Sequence, residues 1–248
     1  MNTGSKISPF SFVSDIVTND YRTAEVFRKY GIEYCCGGKW PLKMVCESKN
    51  LDLAAVVKEL EQSTQTISIP YTIPFETWDI DFLIDYIINI HHVYLKKALP
   101  DTKEQLAKFA NGHRRKYPEL TALEVVFNDL LTDMLPHMVH EEEIIFPYIR
   151  QIAHAYDHKE SYAGLLVRTL RKPVETVMHH EHESIHKILR AMRQLTGQYT
   201  PPPDACTNHR VMYFKLLEIE NDLRQHIHLE NNILFPRAID MEKKLLQY

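Results

Sequence analysis

Two stretches of this chain place the same reactive groups at the same spacing. HMVHEEEIIFP occupies residues 137–147, and HIHLENNILFP follows 89 residues later at 226–236. Each opens on a histidine, sets a glutamate four residues on, and closes on Phe-Pro. On a helix, residues four apart share a face one turn from each other. His137 with Glu141, and His226 with Glu230, therefore each offer an imidazole and a carboxylate to one point. Both pairs run into apolar residues, Ile144–Phe146 and Ile233–Phe235. Polar groups bordering a core stripe must be satisfied or they cost stability. A metal ion between facing helices would satisfy all four.

The repeat extends upstream. His92 begins HVYLKKAL and His182 begins HESIHKIL, with Leu95 and Leu99 matched in spacing by Ile185 and Leu189. The chain reads as two helical hairpins, each giving one lone histidine and one His-x3-Glu. Six donors exceed the four of a tetrahedral zinc site. They suit two metals, each with two imidazoles, bridged by both glutamates. An oxo or hydroxo bridge would make five ligands per metal and leave one position open. The donor mix favours iron, with manganese still open. His91, His179, His180 and His186 neighbour the lone histidines and compete with them as ligands. The internal alignment selects His92 and His182. His140, His228, Tyr94 and Tyr148 read as surface, rim or core residues, and Glu181 as a solvated or channel-lining carboxylate.

The elements that must carry these residues are helical. From Glu76 onward, apolar positions recur at steps of three and four. Runs are expected over 76–99, ended by Pro100; over 119–146, between Pro118 and Pro147 with a bend at Pro136; over 160–196, ended by Gly197; and over 206–235, with a helical tail after Pro236. Four long helices indicate a four-helix bundle with no sheet. Before it, residues 1–65 form a small helical domain. A helix near 15–31 is capped by Gly31, a second covers 51–62, and the turn EYCCGGKWP lies between them. Residues 66–75 form a polar, proline-containing linker, and 76–248 the bundle. In the turn, Cys35 and Cys36 read as reactive thiols, with Lys39 and the glycine amides available to a thiolate. Their plainer reading is a pair of small turn residues. Cys46 and Cys206 read as structural.

Bulk properties exclude several classes. A formal charge of −4 on 248 residues gives no basic surface for nucleic acid. No window approaches a membrane span, and the N-terminus lacks a secretory pattern. Four scattered cysteines fit a reducing compartment such as the cytoplasm. The 14 histidines are an excess that either drift in composition or metal ligation would explain.

The tandem of YCCGG at 34–38 and LENNILFPRA at 229–238 resembles the haemerythrin-like di-iron proteins that repair iron centres. The likeness spans nearly the whole chain. It implies an all-α haemerythrin-like bundle behind a small vicinal-cysteine domain. It also implies a non-haem di-iron centre on His92, His137, Glu141, His182, His226 and Glu230, the set that the repeat selects. The implied role is restoring iron–sulfur clusters damaged by nitrosative or oxidative stress, by donating iron or processing nitric oxide. Damaged iron–sulfur proteins would be the clients, and nitric oxide or dioxygen the small ligands. A homodimer would give the small domain further packing area. Whether the chain is an enzyme stays open. A nitric oxide or oxygen sensor without repair activity remains the alternative, although it has no need of the YCCGG domain. A ferritin-like oxidase would use Glu-x-x-His instead.

Overall fold

The computed structural model describes residues 7–35, 38–65, 73–160, 162–170 and 174–247. It is all-α. Among the described residues the only extended pairing is a lone bridge between Phe12 and Pro41. The chain divides into two compact units: residues 1–71 with 199–216, and residues 72–198 with 217–248.

The first unit carries α1 (Val13–Asn19), α2 (Thr23–Lys29), α3 (Leu42–Ser48) and α4 (Leu53–Ser63). The expected helix near 15–31 is two helices. Asp20 interrupts it by turning local hydrogen bonds inward: its carboxylate accepts from Arg22 N at 3.1 Å, and its carbonyl accepts from the Thr23 hydroxyl at 2.6 Å. Gly31 does end α2, at φ +61°. The amides of Gly31 and Ile32 return to the carbonyls of Arg28 and Phe27, at 3.0 and 2.8 Å, closing a left-handed helix cap. Asp52 caps α4 by accepting from Ala54 N at 2.9 Å. Val13, Phe27, Leu42, Val56 and Leu60 build the core, joined by Val211 from the late segment. Tyr21 stacks on Phe214 at 4.9 Å, and Lys215 pairs with Glu25.

The second unit is the bundle. Its first helix is α5 (Ile80–Tyr86), a π turn (Ile87–His92) and α6 (Val93–His113). Asp79 caps it through the amides of Asp81 and Phe82. The second is α7 (Glu119–His140), a π turn (Glu141–Ile145) and α8 (Phe146–Asp157). Two helices, α9 (Ala163–Leu170) and α10 (Val174–Leu195), occupy the expected 160–196 run, and residues 171–173 between them lie outside the described set. The last helix is α11 (Thr207–Leu229), a π turn (Glu230–Leu234) and α12 (Phe235–Leu245). Helix α7 packs on α6 and α10, and α8 on α5 and α12. The expected linker over 66–75 falls mostly on residues outside the described set.

Prolines behave differently from the sequence expectation. Pro100 lies inside α6 and does not end it. It removes one backbone donor, while Leu95, Leu99, Leu106 and Phe109, all buried, hold the helix on both sides. Pro147 likewise does not end its helix. It and Pro236 stand in the first turn after a π turn. A π turn inserts one residue into the ladder and shifts bonding to i→i+5. A proline just beyond has no N–H to leave unpaired in the altered register, which gives Phe-Pro a structural reading in both repeats.

Ile84, Ile87, Phe146, Ile149, Ile152, Leu234 and Phe235 fill one end of the bundle. Leu99, Leu106, Leu123, Phe127 and Leu130 are buried further along the helices. The polar groups of the repeats lie between these apolar blocks. Among the described residues, no helix is long and apolar enough to cross a membrane.

Candidate metal centre

The three π turns each carry a repeat residue: His92 ends the first, Glu141 begins the second and Glu230 begins the third. His182 lies on the unbroken α10. All six predicted residues meet in the bundle interior, between 0% and 4% exposed. They form two groups of four, His92–Glu141–His226–Glu230 and His137–Glu141–His182–Glu230, in each of which one donor atom per residue lies within 4.8 Å of the others. Each group takes the lone histidine of one repeat and the paired histidine of the other, and both share the two carboxylates.

In the first group, His92 Nε2 stands 3.0 Å from His226 Nε2 and 3.4 Å from Glu141 Oε2, and His226 Nε2 is 2.8 Å from Glu230 Oε1. In the second, His182 Nε2 lies 3.1 Å from His137 Nε2 and 3.4 Å from Glu230 Oε2, and His137 Nε2 is 3.2 Å from Glu141 Oε1.

These distances fit a metal. Two imidazoles at adjacent corners of one ion, with bonds of about 2.0–2.1 Å, place their nitrogens about 2.9 Å apart. Both nitrogen pairs have nearly that separation. Among the described residues, both oxygens of Glu141 and Oε2 of Glu230 are buried without a hydrogen-bond partner. Fully buried carboxylates left so would be costly, and cations remove the cost. Imidazole with carboxylate is a donor set that iron accepts.

Protonation in the metal-free protein reflects the same crowding. Burial works against a charged His92, but the close negative charges of Glu141 and Glu230 outweigh it and raise its pKa to about 10. Burial, helped by the charge on His137, instead lowers that of His182. Burial and mutual repulsion push Glu141 upward, and the His137 and His92 contacts reverse the balance, so its pKa is lowered. Glu230 is held well below the usual range: its burial is overcome by His226 and His92.

Around these groups lie residues the sequence did not single out. His92 Nδ1 donates to Glu142 Oε1 at 2.8 Å, and Lys96 donates to Glu142 Oε2 at 2.6 Å. His182 Nδ1 donates to Asn231 Oδ1 at 2.8 Å. His91 turns away from the four-residue groups. Its Nδ1 meets Asp222 at 2.9 Å, and its ring stacks on His226 at 5.8 Å. The only sequence signal for these partners is position: Glu142 and Asn231 each follow a repeated glutamate.

A groove reaches His137, with walls from Asp133, Pro136, His140, Ser184 and Lys187. His186 is half-buried and belongs to neither four-residue group. The side chains of His179, His180 and Glu181 lie outside the described set. His228 pairs at the surface with Asn232, and the Tyr148 hydroxyl donates to Glu242 in the core.

In the first unit, Cys35 is half-buried, and Cys36 and Gly37 lie outside the described residues. The turn after them docks on α1: Ser14 N donates to Gly38 O at 3.0 Å, and Val13 N to Trp40 O at 3.2 Å. Gly38 is required there, since a Cβ would stand 2.3 Å from the Tyr34 carbonyl oxygen. Cys46 is buried, and burial raises its thiol pKa.

Comparison with known families agrees with this arrangement. The hemerythrin HHE cation binding domain matches residues 83–238, and a domain of unknown function (DUF542), ScdA_N, matches residues 11–64. The chain belongs to the hemerythrin HHE family. Its similar relatives carry both parts. The iron-sulfur cluster repair protein YtfE of Enterobacter sp. (strain 638) is 33% identical over 227 residues, covering 92% of this chain and 96% of the relative. YtfE of Citrobacter koseri is 34% identical over 218 residues, covering 88% and 91%. The iron-sulfur cluster repair protein ScdA of Staphylococcus haemolyticus is 29% identical over 231 residues, covering 91% and 96%. In this hemerythrin-like chain, then, the HHE match spans all six clustered residues.

Proposed function

We propose that this protein holds two iron ions and serves the repair of iron–sulfur clusters damaged by nitrosative and oxidative stress, by donating iron. The observation that carries the reading is the pair of buried His2Glu2 groups sharing Glu141 and Glu230. His92 with His226 would hold one ion, His137 with His182 the other, and the carboxylates would bridge. Bound iron would supply ferrous and ferric states, an oxo or hydroxo bridge, and a position open to nitric oxide or dioxygen. The protein's own part is to fix the imidazoles, hold both carboxylates ionised and surround them with apolar residues.

Iron–sulfur proteins are the proposed clients, and the cytoplasm the proposed compartment. Cys35 and Cys36 are the proposed thiols for receiving or passing iron. A homodimer, which would give the first unit further packing area, is part of the same proposal. A sensor of nitric oxide or oxygen is the other reading. The ScdA_N match over 11–64 favours repair, because the relatives named for repair share that part.

The test is metal content and Mössbauer spectra of anaerobically purified protein, followed by transfer to a metal-stripped iron–sulfur protein. We expect roughly two irons per chain with a coupled spectrum, and transfer that restores the client. A protein that retains no iron, or retains it without transfer, would overturn the repair reading.

A further inference from the structure

The two halves of the centre match in their donors and differ one bond further out. Metal-binding imidazoles donate their other N–H to an outer group that fixes the ring and tunes its basicity. For His92 that group is a carboxylate, Glu142, itself held by Lys96. For His182 it is a neutral amide, Asn231. The two acceptors hold equivalent places in the repeat, one residue after Glu141 and Glu230, and both bonds are 2.8 Å. Geometry is equal and charge is not. An anionic acceptor draws the Nδ1 proton more strongly and leaves Nε2 the better donor.

We infer that Glu142 and Asn231 make the two metal positions unequal, so that the His92–His226 position keeps its ion and the His137–His182 position gives its ion up first. This rests on the two-metal reading above. The groove whose wall includes His137 lies on the side of the same, weaker position. Iron would then leave one ion at a time, with the retained ion keeping the bridging carboxylates in place for reloading. Glu142 and Asn231 act through the imidazoles and touch no ion themselves, so they are positioning residues.

The test is anaerobic calorimetric titration of the metal-stripped full chain with ferrous iron, with Mössbauer spectra of the loaded protein. Wild type should bind in two steps of different affinity and show two distinct iron environments. Glu142→Gln keeps an oxygen for His92 and removes the charge. It should weaken the tighter step about 10-fold or more and bring the two environments together. Asn231→Asp should tighten the looser step. Far-UV circular dichroism checks that both variants keep the helices. Two equal steps in wild type, or a Glu142→Gln effect confined to the looser step, would overturn the inference while leaving the two-metal reading intact. Fewer than two bound equivalents in wild type would sink both.

Discussion

The two hairpins of the bundle carry nearly the same donors on different backbones. In the first, both donor helices contain a π turn, at Ile87–His92 and at Glu141–Ile145. In the second, only Glu230–Leu234 is wound that way, and His182 sits on a continuous α-helix. The same side-chain positions are thus reached by two backbone routes. What the repeat preserves is where the nitrogens and oxygens end up. The backbone adapts to that, and π turns gather where a polar donor must face inward amid apolar neighbours.

The largest test of this equivalence uses the shared groups against the unshared ones. Glu141 and Glu230 each approach both imidazole pairs, whereas His137 approaches one. Glu141→Ala and Glu230→Ala should each strip nearly all bound metal, and His137→Ala should leave roughly half of it, measured by elemental analysis. Half-loading in the glutamate variants would break the idea that the halves share their carboxylates.

The metal-free protein offers a second contrast, since His92 and His182 are perturbed in opposite directions. The folded pKa of His92 is raised to about 10, above its ordinary 6.5. Its contribution to stability is therefore complete below pH 6.5 and is lost as pH rises through about 10. His182 is lowered, so its contribution is complete above 6.5 and is lost as pH falls through its folded value. Urea unfolding across pH should show the alkaline slope flattened in His92→Asn and the acid slope flattened in His182→Asn. A single variant that flattened both would mean the halves titrate as one unit.

The smallest contrast lies in the two prolines. Pro147→Ala and Pro236→Ala each restore a backbone donor beyond a π turn, and each should change stability by less than about 1 kcal/mol. If the donors impose the π turns, the two effects will match, and hydrogen exchange of the flanking amides will change alike. A large effect at one position alone would assign that π turn to the proline.

Much of the centre was legible because His-x3-Glu survives translation into structure: four residues on a helix stay on one face. The choice of His92 over His91 followed from spacing between the repeats, and the structure turns His91 to Asp222 instead. Glu142 and Asn231 were hidden because a polar residue after a glutamate is ordinary on a helix, and only the fold brings an imidazole to it. Pro100 reads as a helix end from its local cost alone, and the buried leucines on both flanks override that cost. The break at Asp20 depends on side-chain bonds that apolar periodicity does not register. Val211 gave no sign that it would complete a core begun at Val13, since contacts that remote in sequence leave no local pattern. The vicinal thiols were visible as a motif, and for Cys35 the structure adds a turn that only a glycine at 38 permits.

The place of that late segment has a consequence for how the chain is made. A ribosome delivers residues in order, and domains generally fold as they emerge. The first unit has Val211 in its core, and the candidate metal centre includes His226 and Glu230. Neither can be finished until most of the polypeptide has been synthesised. A nascent chain stalled before residue 211 would hold an incomplete small unit and four of the six donors. On the two-metal reading, loading therefore belongs to the last moments of biogenesis, when the final helix closes the bundle.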